Sequence, residues 1–281
     1  MQKMKQIIFD HVPPVLTDLL GQVNKVLYRG SKYQCPLCLS DLRSFLPLPR
    51  EFRVTLELQG RRFTASDFET LNIEHYLCPV CRCADRDRLS ALFLIRVPRE
   101  LQKNKTLLHF APERALSSFL RRNFGYSYRT ADLLRKDVDD RVDISRLDTY
   151  AASSTDCFIC SHVLEHVEDD TRAVRELYRI LKPTGWGIIL APIIPDLVRT
   201  HEDPSKTTES ERLHHFGQKD HLRVYGKTDF INLLKSAGFK VSQLSAEFFG
   251  GDTLERHGIS KRSCLYVVHK TPELAIAEGS S

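Results

Sequence analysis

"DCFICSHVLEHVEDDTRAVRELYRILKPTGWGIIL", residues 156–190, holds a complete strand–helix–strand unit. "DCFICSHV" is a short, nearly unbroken apolar run, which is how a strand buried on both faces reads. "DDTRAVRELYRILKPTG" follows as a helix, with acids at its start to meet the positive end of the helix dipole and Lys-Pro-Thr-Gly closing it. "WGIILAPI" then returns to strand. Cys157 and Cys160 form a CxxC inside the first run, but alternate residues of a strand face opposite ways, so these two thiols do not converge. They read as small buried apolar residues.

The same alternation runs outward in both directions. "TLLHF" (106–110) reads as a buried strand. "PERALSSFLRRNFG" reads as a helix, with Leu116, Phe119 and Leu120 at helical spacing, Pro112 in the first turn and Gly125 as the cap. "YSYRTAD" is a strand ending on Asp132, "KTDFINLLKSAGF" a helix, and "KVSQLSAEFF" and "SCLYVVHK" closing strands. Strand–helix alternation predicts an α/β fold with a mostly parallel sheet and helices on both faces. Ligands of such sheets lie beyond the carboxyl ends of the strands. The residues that matter most are therefore His109 to Glu113, Asp132, Asp143, Ser161 to Glu165, and Pro192 onward.

Five of the eight cysteines lie between residues 35 and 83. "CPLC" gives Cys35 and Cys38, and "CPVCRC" gives Cys78, Cys81 and Cys83. Two CxxC turns can offer four thiolates to one tetrahedral zinc, a closed set suited to a structural role. The 39 residues between Cys38 and Cys78 exceed the common zinc-ribbon interval. "RVTLELQGRRF" within that gap alternates like a hairpin around Gly60. Cys83 is a substitute ligand or a free thiol. Buried cysteines without metal, or a redox pair, are the other readings of the cluster.

The 156–190 unit, together with the strand ends around it, resembles the class I S-adenosylmethionine-dependent methyltransferases over about residues 100–270. Thr184 stands where the family's "LKPGG" turn often has its first glycine. The resemblance implies that Asp132, 23 residues after His109, meets the ribose hydroxyls, and that Asp143, with Ile144 beside it, lies near the adenine amino group. "HFAPE" falls on the glycine-rich first motif, with Ala111 and Glu113 in glycine places and His109 in the usual acidic one. This is similar to a bacterial subgroup in which "APE" replaces the glycines and a cysteine-rich module precedes the domain. That subgroup's more usual "RHR" is "RDR" here, with Asp87. The cofactor has no phosphates, so a phosphate cradle is unnecessary. The resemblance thus implies that His109, Phe110, Ala111, Pro112, Glu113, Asp132, Asp143, Ile144, Ser161 and His162 surround the cofactor, with Glu113 meeting its ammonium group.

The expected layout is a helical segment over residues 1–30, a zinc-ribbon-like cysteine module with an inserted hairpin over 31–98, a Rossmann-like methyltransferase domain over 99–271, and a tail over 272–281. Within the domain, 199–225 is an insertion beyond a strand's carboxyl end, rich in His201, Glu202, Asp203, His214, His215, Asp220 and His221. It is placed to roof an acceptor pocket. A base for a hydroxyl acceptor is expected at His221 first and Glu202 second. The net charge of +5 permits an anionic partner without demanding one, and no apolar run spans a membrane. The chain is expected to be cytoplasmic. The favoured function is O-methylation of a small molecule or glycan. An RNA methyltransferase gripping nucleic acid with its cysteine module, and a non-catalytic interaction protein, are the alternatives. Arg82, Arg86 and Arg88 would serve RNA, but Asp85 and Asp87 dilute them.

Overall fold

The computed structural model describes residues 14–57 and 62–271. The first thirteen residues of the expected helical segment, the turn expected at Gly60 and the 272–281 tail lie outside them. Helix α1 is Pro14–Leu27. Strands β1 (Arg29–Gln34) and β2 (Asp41–Leu42) pair antiparallel and flank the first cysteine turn. Helix α2, Arg50–Glu57, stands where the first strand of the hairpin was expected. Pro49 opens it by accepting the amides of Phe52 and Arg53. Five residues of alternation fit either period, and the helix start decides between them.

Helix α3 (Asp85–Arg96) follows the second cysteine turn. The alternating half then begins with β3 (Thr106–Phe110), α4 (Arg114–Asn123), β4 (Ser127–Asp132), β5 (Asp140–Arg141), β6 (Thr155–Ser161) and α5 (Asp170–Ile180). Strand β7 (Leu181–Leu190) takes in Lys182–Gly185, assigned from sequence to the turn closing the helix, and its ladder to β6 shifts register there. After it come β8 (Ile193–Ile194), β9 (His201–Glu202), α6 (Glu209–Phe216), β10 (Arg223–Gly226) and α7 (Lys227–Ser236). The chain ends with β11 (Lys240–Leu244), α8 (Ala246–Phe249), α9 (Gly251–Arg256) and β12 (Leu265–His269). "SAEFF" is thus a helical turn rather than more strand, because the Ser245 hydroxyl accepts the Glu247 amide and starts it.

The main sheet runs β11-β12-β7-β6-β3-β4-β5. All neighbours pair parallel except β12, which is antiparallel to both β7 and β11. Helix α3 packs with α4, and α5 packs with α7. The chain leaves β3 toward β4 and β5, then returns to the other side of β3 as β6. That reversal is the switch point, where strand ends part and leave a crevice.

The long gap between the cysteine pairs is an arm laid across the domain. The Glu69 amide donates to the Ile193 carbonyl at 2.9 Å, and its carboxylate receives Lys227 at 2.7 Å and the Tyr266 hydroxyl at 2.8 Å. Phe68 joins Ile194, Phe216 and Val224 in a small apolar cluster that ties the arm to the 199–225 segment. The buried cysteines Cys35, Cys78 and Cys83 share one continuous core with α3 and the central sheet.

Candidate active site

A cleft of about 1140 Å³ lies at the switch point, with the strand ends on one side and the cysteine module on the other. Its first wall is the turn after β3. Ala111 takes φ 47°, the left-handed region that favours glycine, and its amide donates to the Ala131 carbonyl at 2.8 Å. The glycine-less motif therefore keeps a glycine-like backbone and accepts the strain of a Cβ, about 1 kcal/mol. Ala111→Gly is expected to leave stability within about 1 kcal/mol, relief of strain being offset by chain entropy. Ala111→Val, β-branched at positive φ, should lower both the melting temperature and the affinity for adenosylhomocysteine. Thermal melts and calorimetry check this, and a fully tolerated valine would contradict the left-handed turn.

Pro112, Glu113 and Asp132 continue the same wall. Asp132 Oδ1 accepts the amides of Leu134 and Arg135 at 2.7 and 2.9 Å, which fixes the carboxylate at the β4 end. His109 is fully buried behind the turn. Its Nε2 meets Glu113 Oε2 at 2.9 Å and its Nδ1 meets the Tyr128 hydroxyl at 2.8 Å, so it orients Glu113 rather than lining the cleft. From the module side, Arg86 and Asp87 face the cleft near Glu113. Arg86 Nε stands 4.0 Å from both carboxylates. Burial and the charge of Glu113 push the Asp87 carboxyl up to about 7. The unusual aspartate of "RDR" is thus part of an acidic wall. By contrast Arg88 turns fully inward, onto the carbonyls of Tyr76, Cys83, His257 and Gly258, with its guanidinium over the Phe45 ring.

The opposite wall is built on "SHVLEH". His162, at the β6 end, has φ 53°, and residues Leu164–His166 form one 3-10 turn. This turn carries Glu165, fully buried, into the cleft. His162 Nδ1 lies 3.1 Å from Glu165 Oε1, and His166 Nε2 and His221 Nε2 each lie 3.9 Å from it. Burial alone would raise the Glu165 carboxyl, but the His162 contact and the fields of all three imidazoles hold it well below the usual range. The 199–225 segment does reach the cleft, through His221. The Leu222 amide donates to the Glu165 carbonyl at 2.8 Å, and buried Arg223 donates to the carbonyls of Leu164 and Glu168 at 3.1 and 3.0 Å. Arg223 also takes Glu202, at 2.8 Å, away from the cleft.

The two cysteine turns share one conformation. Leu39 (φ 57°) and Arg82 (φ 63°) occupy equivalent positions, and the Leu39 and Arg82 amides return to the carbonyls of Cys35 and Cys78. The four sulfurs of Cys35, Cys38, Cys78 and Cys81 lie within 4.8 Å of one another. Two of the separations, Cys35–Cys81 and Cys38–Cys78, are 3.7 and 3.8 Å. Zn–S bonds of about 2.3 Å in a tetrahedron set sulfurs about 3.8 Å apart, so the four fit that ion. Cys83 sits behind them, fully buried and 3.5 Å from Cys35, and burial raises its thiol well above the ordinary range. All eight cysteines are free of disulfides.

A family model described as a methyltransferase domain matches residues 83–244, more than half of the chain. The chain belongs to this methyltransferase family. Its sheet, a mostly parallel seven-stranded one with helices on both faces, is the Rossmann-like sheet of class I methyltransferases. No curated protein matches the sequence. Among solved structures, the chain is similar to the [4+2]-cyclase SpnF, with 16% identity over 66% of this chain and 81% of that one and a TM-score of 0.44. It is similar to a SAM-dependent methyltransferase from Archaeoglobus fulgidus, with 14% identity over 65% and 92% and a TM-score of 0.41. It is also similar to the YcgJ protein of Bacillus subtilis, with 13% identity over 63% and 94% and a TM-score of 0.42. Among the described residues no helix is long and apolar enough to cross a membrane.

In this methyltransferase the cleft brings together Ala111, Pro112, Glu113, Asp132, His162 and His221 from the residues singled out in the sequence. It does not bring in His109, Phe110, Asp143, Ile144, Ser161 or Glu202. Phe110, Ile144 and Ser161 are buried, and Asp143 is exposed, its Oδ1 accepting the amide and hydroxyl of Ser145 at 2.8 Å. Glu165, which the sequence places only among the strand-end residues, lines the cleft as well, and so do Arg86 and Asp87, to which the sequence gives no part in the cofactor or acceptor site.

Proposed function

We propose that this methyltransferase transfers a methyl group from S-adenosylmethionine to an oxygen of a small-molecule or glycan acceptor bound in the cleft. One observation carries the reading: the glycine-like Ala111 turn, the anchored Asp132 carboxylate and the Glu165–histidine cluster converge on one hollow at the switch point. Asp132 would hold the ribose. Glu113, with Asp87 beside it, forms an acidic wall suited to the cofactor's ammonium group. The cofactor supplies the electrophilic methyl. The chain's part is to hold the acceptor in line with that methyl and to keep water out. The arm and the 199–225 segment, joined at Phe68 and Phe216, do so as a shared cover.

The inward turn of Arg88, and Arg86's place between Asp87 and Glu113, take two guanidiniums away from phosphate binding and favour this reading over RNA. We also propose that Cys35, Cys38, Cys78 and Cys81 hold a structural zinc and that the protein works in the reducing cytoplasm, where such thiolates persist.

Calorimetry with adenosylmethionine and adenosylhomocysteine tests cofactor binding. A salt-dependent shift assay tests RNA, and mass spectrometry of products trapped from cell extract tests the acceptor. Asp132→Ala is expected to weaken both cofactor forms alike, by about 1.5 to 3 kcal/mol, because both carry the ribose. Unchanged affinity for both would place the ribose elsewhere.

A further inference from the structure

We propose that Glu165, His166 and His221 form a second metal site, for a divalent transition ion, in the wall of the cleft. Their ligand atoms lie within 4.8 Å of one another, and all three residues line the cleft. The inference rests on how the imidazoles are held. His166 Nδ1 lies 3.1 Å from the Asp220 carbonyl and 3.5 Å from its carboxylate. A carbonyl only accepts, so Nδ1 carries a proton, and Nε2 is the ring nitrogen that faces Glu165 Oε1. At 3.9 Å that approach is too long for a hydrogen bond. His221 Nε2 faces the same oxygen at the same separation, and the two rings meet edge to face with centroids 4.8 Å apart.

Two imidazole nitrogens facing one oxygen of a fully buried carboxylate have the donor set and convergence of a cation site. With bonds of about 2.1 Å, ligand atoms of one ion lie about 3.4 Å apart in a tetrahedral shell and about 3.0 Å apart at cis positions of an octahedral one, so the two 3.9 Å separations would close by about 0.5 to 0.9 Å around the ion. Two imidazoles and one carboxylate suit zinc, iron or manganese better than magnesium or calcium. The contact of His166 with Asp220 is the outer-shell support that such ligands carry. Arg223 and the Leu222–Glu165 bond lock His221 over the turn.

The site stands on this geometry, and its role rests on the methyl-transfer reading. An acceptor hydroxyl bound to the ion would lose its proton to solvent through the open side of the cleft. Its oxygen would then form the O–CH₃ bond as the S–CH₃ pair returns to sulfur, leaving adenosylhomocysteine. His221 on this view holds the ion rather than acting as a free base.

Chelator-free protein should contain two ions per chain by elemental analysis. Cobalt substitution should show thiolate charge-transfer bands from the cysteine centre and, separately, weak d–d bands without them from the cleft. Glu165→Gln and His166→Asn should each abolish only the second set and lower cobalt affinity there beyond the 10- to 100-fold that loss of an outer-shell partner causes. Retained adenosylhomocysteine binding would show that these variants are folded. If wild-type protein takes up one ion only, through the cysteines, the second site does not exist. Two ions without any cofactor binding would instead overturn the methyl-transfer reading and leave the site standing.

Discussion

Removing the zinc proposed for the cysteine centre is expected to unfold the methyltransferase sheet together with the module. Binding of a structural zinc by four thiolates is worth on the order of 10 kcal/mol, comparable to the whole stability of a domain. From sequence, the module and the domain read as separate units, which predicts that the module unfolds more than the domain. The packing argues otherwise. Cys35, Cys78 and Cys83 are in one core with Leu89, Phe93 and Leu94 of α3, and the Phe93 ring meets Trp186 of β7 edge-on. Arg88 joins the second cysteine turn to the distant His257–Gly258 turn. Gly258 has φ 64°, and a Cβ there would fall 2.3 Å from Phe45, so that turn is pressed into the module. The arm adds Glu69 with Lys227 and Tyr266. A chelator in excess should therefore abolish adenosylhomocysteine binding and lower a single thermal transition. Two transitions, with the upper one and the binding unchanged, would show that the domain stands alone.

The parts of this design that were legible from sequence are those set by local period and by strand ends. "DCFICSHV" and "WGIILAPI" became β6 and β7, and Asp132 arrived in the cleft because a strand's last residue has few places to go. Even the loss of glycine from "HFAPE" was readable, since the turn at Ala111 is dictated by the strand-to-helix geometry and not by the residue that fills it. What sequence reading missed depends on contacts between distant segments. Residues 53–57 alternate like a strand, yet Pro49 starts a helix there. The sequence ranks His221 ahead of Glu202 on chemistry alone, and what separates them in space is β9 pairing with β10, which turns Glu202 onto Arg223. Glu165 falls within the strand-end range that the sequence marks as important but receives no role there, although a carboxylate between two histidines in "HVLEH" is the available signal. Arg88 reads from sequence as a candidate RNA contact, and Arg223 as one basic residue of the 199–225 insertion. Only the fold shows that each is buried on backbone carbonyls.

Arg223→Ala is expected to cost about 3 to 5 kcal/mol of stability, as removal of one partner from a buried charged network does. The guanidinium is 2% exposed. It donates to the carbonyls of Leu164, Val167 and Glu168, pairs with Glu202 at 2.8 Å, and stands 3.5 Å from Asp170. The alanine variant would leave the Val167 and Glu168 carbonyls without the guanidinium, the Leu164 carbonyl with only the Val167 amide, and Asp170 without its cation, beside the Tyr225 hydroxyl that donates to it at 2.7 Å. Lysine should recover less than half of the loss, because a single ammonium cannot span acceptors on two sides of the 3-10 turn. Urea denaturation should show a lower midpoint with an unchanged slope. The folded fraction should still bind adenosylhomocysteine, since Ala111 and Asp132 stand on other strands, while turnover falls because β10 no longer holds His221 against Glu165. A variant with wild-type midpoint and turnover would mean that β10 keeps its place without the arginine and that the geometry of the Glu165 cluster is set by the 3-10 turn alone.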